Sequence, residues 1–213
     1  RRYHHAAFDP ATLAAAKGGR RLSVCLPARD EAATIGGIVS TIRRELVERV
    51  PLVDELLVLD DHSTDGTAEV AAEAGARVVS SSAVLPEHGL GHGKGEVLWK
   101  SVHASSGDLI VWCDADIRDF GSRFVVGVAG PLIVEPDLGF VKGFYARPGA
   151  ADGGGGRVTE LVARPLLSML HPHLASVVQP LSGEYAGRRT LLEQLPFFPG
   201  YAGEDRFDQI TWD

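Results

Sequence analysis

The sequence predicts an α/β fold with a Rossmann-like, mostly parallel central sheet flanked by helices. Three observations carry that expectation. Residues 109–113, Leu-Ile-Val-Trp-Cys, form an unbroken apolar run, which suits a strand buried on both faces of a parallel sheet. The run stops on two carboxylates, Asp114 and Asp116, and ligands of open α/β sheets gather at the carboxyl ends of strands. Upstream, the order strand, polar turn, helix occurs twice, over 21–46 and 54–74.

Residues 1–20 read as an N-terminal arm, with a short helix over 11–17 closed by Gly18-Gly19. The first strand spans 21–27 and runs into Pro27, Ala28, Arg29, Asp30 and Glu31. A helix over 34–46 follows, because Ile35, Ile38, Val39, Ile42 and Leu46 recur at helical spacing. An acidic turn there can hold a nucleobase and ribose; alternatively, Asp30 and Glu31 are first-turn charges favouring the helix dipole. The second strand, 54–61, ends on Asp60 and Asp61. Ser63, Thr64 and Asp65 then supply capping side chains for a helix over 67–74 that stops at Gly75. A third, short strand spans 76–80.

A polar loop over 81–93 leads to Gly93-Lys94-Gly95, which opens a helix over 96–104. A lysine among glycines at a helix start suits a phosphate. It is not a Walker A loop, because the spacing fails, and a solvated lysine is the alternative. The central run and its acids come next. Two carboxylates one residue apart can share a hard cation, and Mg²⁺ is commonly held by one or two carboxylates plus substrate phosphates. The alternative is an acidic turn that merely ends a strand.

Beyond it, a helix over 124–134 is kinked at Pro131, and a strand over 138–145 carries Lys142. A glycine-rich loop fills 146–156. Residues 157–170 are helical in period, with Val158, Leu161, Val162 and Leu166 on one side. Arg157, at that start, can clamp a carboxylate or phosphate bidentately or simply lie on the surface. Residues 179–187 read as a turn leading to a short helix over 188–195, then an aromatic loop over 196–201 and a polar end.

Composition narrows the classes. The 213 residues fit one large domain, with 45% hydrophobic and 23% charged residues. A net charge of −7 and a pI near 5.6 argue against general nucleic-acid binding, while leaving room for a local basic pocket. Cys25 and Cys113 sit inside apolar runs, so buried free thiols and a reducing, cytoplasmic setting are expected. The polar start shows no signal peptide, and the apolar stretch 124–134 is far short of a membrane span. The first residue is not Met, so a preceding piece is expected to be missing.

Taken together, these motifs resemble the actinobacterial glucosyl-3-phosphoglycerate and mannosyl-3-phosphoglycerate synthases, retaining glycosyltransferases of the GT-A fold. The matching stretches common to many GT-A enzymes are SVCLPARDE at 23–31, DELLVLD at 54–60 with STD at 63–65, GKGE at 93–96 and DAD at 114–116. More diagnostic are FVKGFY at 140–145, GGRVTELVARPLL at 155–167 and QPLSGEYA at 179–186. The resemblance covers roughly residues 10–204.

It implies a catalytic domain over 21–204, with a nucleotide-sugar half to about 120, an acceptor half beyond, and 205–213 unassigned. Pro27, Ala28, Arg29, Glu31, Asp61, Lys94, Asp114 and Ala115 would bind the nucleotide sugar. Asp116 would ligate Mg²⁺ or Mn²⁺. Asp114, Leu181 and Glu204 would join Asp116 at the reacting sugar. Gly156, Arg157 and Thr159 would bind the acceptor. The family's further metal-binding histidine and C-terminal extension have no match after Glu204, and the loop at 146–154 is shorter than the family's. Arg29 stands where a small apolar residue is usual, and with Asp61-His62 it leaves the donor base open.

The expected reaction moves a hexose from GDP-mannose or UDP-glucose to the 2-hydroxyl of 3-phosphoglycerate. The expected partners are that donor and acceptor, with no nucleic acid and no membrane span; a homodimer stays open. Two alternatives remain, a sugar nucleotidyltransferase and a non-catalytic nucleotide-sugar-binding domain. The first lacks its glycine-rich loop after the first strand.

Overall fold

The apolar runs pair with one another, and their pairing sets the order of the sheet. A computed structural model describes residues 1–89, 93–145 and 158–197. The strands are β1 (Leu22–Ala28), β2 (Glu55–Asp60), β3 (Arg77–Ser80), β4 (Leu109–Trp112), β5 (Phe140–Lys142) and β6 (Tyr185–Arg188). They lie in the order β3-β2-β1-β4-β6-β5. β1 pairs in parallel with β2 and β4, so Cys25 lies beside Leu57 and Trp112. β2 and β3 are parallel, whereas β6 is antiparallel to both β4 and β5. The sheet is therefore mostly parallel, as expected, with one reversed strand.

Strand alternation divides the core into two faces. Leu22, Val24, Leu26, Val58, Leu109 and Val111 face one side. There they meet Ile35, Ile38, Val39 and Ile42 of α2 (Ala32–Ile42) and Val125, Val128, Ala129 and Leu132 of α5 (Arg123–Val134). Cys25, Leu57, Ile110, Trp112 and Tyr185 face the other side, against Leu98 and Val102 of α4 (Lys94–Ala104). Burying each such aliphatic side chain contributes roughly 1.5–3 kcal/mol. Trp112 is fully buried, and its indole N–H donates to Ser101 Oγ at 2.7 Å, so the ring brings no unsatisfied donor inside. Gly36 serves packing: a Cβ there would lie 2.9 Å from Val70 Cγ1, so glycine lets α2 approach α3 (Thr67–Glu73).

The N-terminal arm packs on the domain. Leu13 of α1 (Pro10–Ala16) is buried, and Phe8 lies so close to α5 that a Cβ at Gly130 would overlap its ring. Lys17 is buried and donates to Asp54 Oδ2 at 2.5 Å and to the Leu52 carbonyl at 2.9 Å.

Several expectations change. The segment read as a turn and helix from 179 to 195 contains β6, and only α7 (Arg189–Leu192) is helical. The short Tyr-Ala-Gly-Arg segment has no alternation of its own; pairing with β4 and β5 makes it a strand. The central strand stops at Trp112, which leaves Cys113 and the D-x-D on the following turn. The strand read over 138–145 is only three residues long and abuts β6. The helix after Ile42 widens into a π-helical turn, Arg43–Glu48, still burying Leu46. Thr159–Ala163 is also π-helical and runs directly into α6 (Arg164–Leu170), where Pro165 lacks the N–H that would bond back into that turn. The apolar side of that segment is uncovered by the described residues: Leu161 and Met169 are 74% and 68% exposed. Among the described residues no helix is long and apolar enough to cross a membrane.

Candidate active site

The carboxyl ends of β1, β2 and β4 bring three acidic turns together. Two of them hold non-glycine residues in the left-handed region, Asp30 at φ 56° and His62 at φ 62°. The two turns are stitched to one another. The Asp30 carboxylate accepts the Thr64 N–H at 2.7 Å, and the Asp30 N–H donates to Ser63 Oγ at 3.0 Å. Asp65 accepts the Ala32 N–H at 3.0 Å as well as the Thr67 N–H, so it caps α2 across the gap as well as opening α3. Glu31 is the N-cap position of α2, and its N–H donates to Thr67 Oγ1 at 2.7 Å.

The third turn joins through Thr34, whose hydroxyl donates to the Ala115 carbonyl at 2.7 Å. This tie holds the first turn of α2 against the D-x-D. The Glu31 carboxyl is consequently pushed above the usual range, first by burial and then by Asp116, with Asp65 and Asp114 adding repulsion and the Thr34 hydroxyl opposing it. Glu31, Asp114 and Asp116 thus share one electrostatic environment. Oxygen donors of this kind suit a hard divalent cation. Among the described residues no three His, Cys, Asp or Glu side chains enclose a metal by themselves. The set fits Mg²⁺ or Mn²⁺ completed by substrate oxygens.

Lys94 opens α4 behind Gly93, which adopts φ 96°. Its Nζ lies 2.7 Å from Asp114 Oδ1, with both side chains mostly buried. Past the end of β2, Asp61 is buried; its Oδ1 accepts from Ser81 Oγ at 3.0 Å and lies 3.1 Å from His62 Nδ1. Arg29 reaches the other oxygen of Asp61 at 3.9 Å. Ala28 is buried, and its carbonyl accepts the Asp61 N–H at 2.8 Å, while Pro27 is half-buried. Leu181 is half-buried on the turn before β6. Thr159 is buried. Gly156, Arg157 and Glu204 lie outside the described residues.

The residues expected from the first half of the chain gather at this edge of the sheet, and the turn that carries Leu181 reaches it too, through Gly183 against Asp114. A cavity of about 1390 Å³ opens beyond the D-x-D, lined by Arg118, Lys142, Tyr145, Gln179 and Glu184 and by the arm. It does not include Lys94 or the D-x-D carboxylates, so the cavity and the acidic cluster are separate features. Sequence reasoning missed Thr34 and the cross-cap from Asp65, whose residue types are ordinary at helix starts. Both cysteines are free and buried, as expected; burial pushes the Cys25 thiol up to about 12 and the Cys113 thiol well above its usual value.

A family model for glycosyl transferase family 2 matches residues 23–123, the span holding β1, β2, Lys94 and the D-x-D. Glucosyl-3-phosphoglycerate synthase of Mycolicibacterium smegmatis is 50% identical over 221 residues, covering 99% of this chain and 72% of that protein. The chain belongs to the glucosyl-3-phosphoglycerate synthase family. Among solved structures, mannosyl-3-phosphoglycerate synthase from Rubrobacter xylanophilus superposes with a TM-score of 0.90 at 45% identity, covering 95% of this chain and 64% of that one. Glucosyl-3-phosphoglycerate synthase from Mycobacterium tuberculosis, in complex with Mn²⁺, UDP-glucose and phosphoglyceric acid, gives 0.85 at 48% identity, with 96% and 68% covered. This member of the glucosyl-3-phosphoglycerate synthase family thus spans about two thirds of the length of such relatives. The fold is that of these synthases, a GT-A α/β domain.

Proposed function

We propose that the protein transfers glucose from UDP-glucose to the 2-hydroxyl of 3-phosphoglycerate with retention, giving glucosyl-3-phosphoglycerate. The observation that carries this reading is the D-x-D turn beyond β4, tied to the first turn of α2 by the Thr34 hydroxyl on the Ala115 carbonyl and to Lys94 through Asp114. A divalent cation, when bound through Asp116 and the diphosphate, supplies Lewis-acid stabilisation of the leaving group. Lys94 adds positive charge beside that group as negative charge develops. Asp114 holds Lys94 in place before the donor arrives and faces the donor sugar once it has bound. Gly156, Arg157 and Thr159 fix the acceptor anion, and Leu181 and Glu204 border the transferred sugar; such positioning supplies much of the rate gain.

Asp61 supports uracil as the donor base. Uracil presents one N–H donor between two carbonyls, whereas guanine presents two adjacent donors. One Asp61 oxygen is engaged by Ser81 and His62, and only the distant Arg29 guanidinium, 3.9 Å away, faces the other, which supports a base that asks for a single N–H acceptor with Arg29 turning to a flanking carbonyl. A site with one acceptor to offer would leave a guanine donor unpaired, which disfavours GDP-mannose. The deciding experiment offers UDP-glucose and GDP-mannose separately with 3-phosphoglycerate and Mg²⁺ or Mn²⁺. Glucosyl-3-phosphoglycerate, with an anomeric configuration matching the donor by NMR, is the expected product. Preferred use of GDP-mannose would reject the base assignment, and donor hydrolysis without transfer would reject the acceptor.

A further inference from the structure

Asp114 is held from two sides. Lys94 meets one oxygen at 2.7 Å. The other side is backbone: a Cβ on Gly183 would overlap the whole Asp114 carboxylate, so the turn at 181–183 lies in direct contact with it. The sheet sets this approach. Trp112 of β4 registers with Tyr185 of β6, and continuing the antiparallel ladder by two residues brings 114 opposite 183. A lateral shift of the turn therefore shifts the carboxylate.

The turn is itself pinned from β5. Lys142 Nζ donates to the Ser182 carbonyl at 3.0 Å and sits 5.1 Å from the centre of the Tyr185 ring. Ser182 Oγ donates to the Gly143 carbonyl at 2.5 Å, and the Gly143 N–H donates to the Glu184 carbonyl at 2.7 Å. A hydrogen bond from an ammonium is roughly twice as strong as a neutral one, so Lys142 is the strongest member of this set.

We propose that Lys142, Ser182 and Gly183 form a brace that fixes the Asp114 carboxylate, with Lys142 a positioning residue for the transfer proposed above, on which this inference rests. In this role Lys142 acts through the turn, by its bond to the Ser182 carbonyl. The requirement at 183 is for no side chain at all, since any Cβ displaces Asp114 and with it Lys94.

The test compares the full chain with Lys142→Met, Lys142→Arg and Gly183→Ala, by ¹⁵N spectra and by transfer kinetics with UDP-glucose and 3-phosphoglycerate. Lys142→Met is expected to move the amide resonances of Ser182, Gly183 and Asp114 and to lower kcat by about ten- to a hundredfold. KM for both substrates should stay within about twofold, because the loss falls on alignment rather than binding. Lys142→Arg should restore most of kcat and return the resonances. Gly183→Ala should move the Asp114 resonance even with Lys142 intact; if it does not fold, the Lys142 pair carries the test. Unmoved Asp114 and Gly183 resonances in Lys142→Met overturn the brace, as does a lowered melting temperature with unchanged kcat. A parent that transfers no glucose rejects the proposed function. The brace then stands or falls on the resonance shifts and their reversal by arginine.

Discussion

Lys94→Met separates ground-state binding from catalysis at the proposed diphosphate site. In the structure Lys94 is already paired with Asp114 at 2.7 Å, and the two side chains are 20% and 26% exposed. A donor diphosphate must therefore share or replace an existing partner, so the net binding gain from Lys94 is smaller than a fresh charged contact would give. As the sugar–phosphate bond breaks, charge grows on the diphosphate, and the lysine contributes most at that point. Losing a hydrogen bond to a charged group typically costs about 1.5–3 kcal/mol, and about 1.4 kcal/mol corresponds to tenfold. kcat should therefore fall by roughly ten- to a hundredfold. Donor affinity, from calorimetry with UDP and Mn²⁺, should fall by about tenfold at most. The same change leaves Asp114 without its cation, so a small drop in melting temperature is expected. A kcat equal to the parent's would refute the placement of Lys94 at the diphosphate. A collapse of donor affinity with an unchanged kcat would refute the division between ground and transition state.

Other outcomes follow from the same geometry. Asp116→Asn should abolish divalent-dependent transfer while leaving the far-ultraviolet circular dichroism unchanged, because the residue sits on the turn beyond β4. Glu31 is raised by burial and by Asp116, so the folded state holds its proton more tightly than the unfolded chain does. Its stabilising contribution is full below the unfolded value and is lost as pH rises through the raised folded value. In the absence of divalent cation, the melting temperature of Glu31→Gln relative to the parent should therefore increase as pH rises through that window, and a pH-independent difference would contradict the shared carboxylate environment. Arg157→Ala should raise the acceptor requirement by about one to two orders of magnitude with donor affinity nearly unchanged; collapse of donor binding instead would move Arg157 to the nucleotide side.

How much of this was legible in the sequence depends on where each signal is stored. The apolar runs of β1, β2 and β4 and the spacing of Ile35, Ile38, Val39 and Ile42 are local, so they announced the parallel half of the sheet and its covering helix directly. Asp114, Asp116 and Lys94 were legible for a related reason: each stands where a strand or helix begins or ends, and topology sends such positions to one edge. β6 was not legible, because Tyr-Ala-Gly-Arg becomes a strand only by filling the gap between β4 and β5. Asp65 looked like the cap of its own helix and also caps the preceding one, since its partner N–H comes from a turn more than thirty residues away.

The reversed strand also explains why the second half of the chain reads so poorly from local pattern. The parallel strands deliver their loops to one edge by their carboxyl ends, whereas β6 reaches that edge by its amino end. The residues it contributes therefore precede the strand: the turn at 181–183 is its approach. A search for polar residues after strands passes over that turn, whose contribution is a leucine, a serine and a glycine valued for backbone and small size. The contact between Gly183 and Asp114 makes the point physically. A carboxylate expected to act on the donor is shaped from the other half of the chain by a residue with no side chain, and the antiparallel register is what brings the two together.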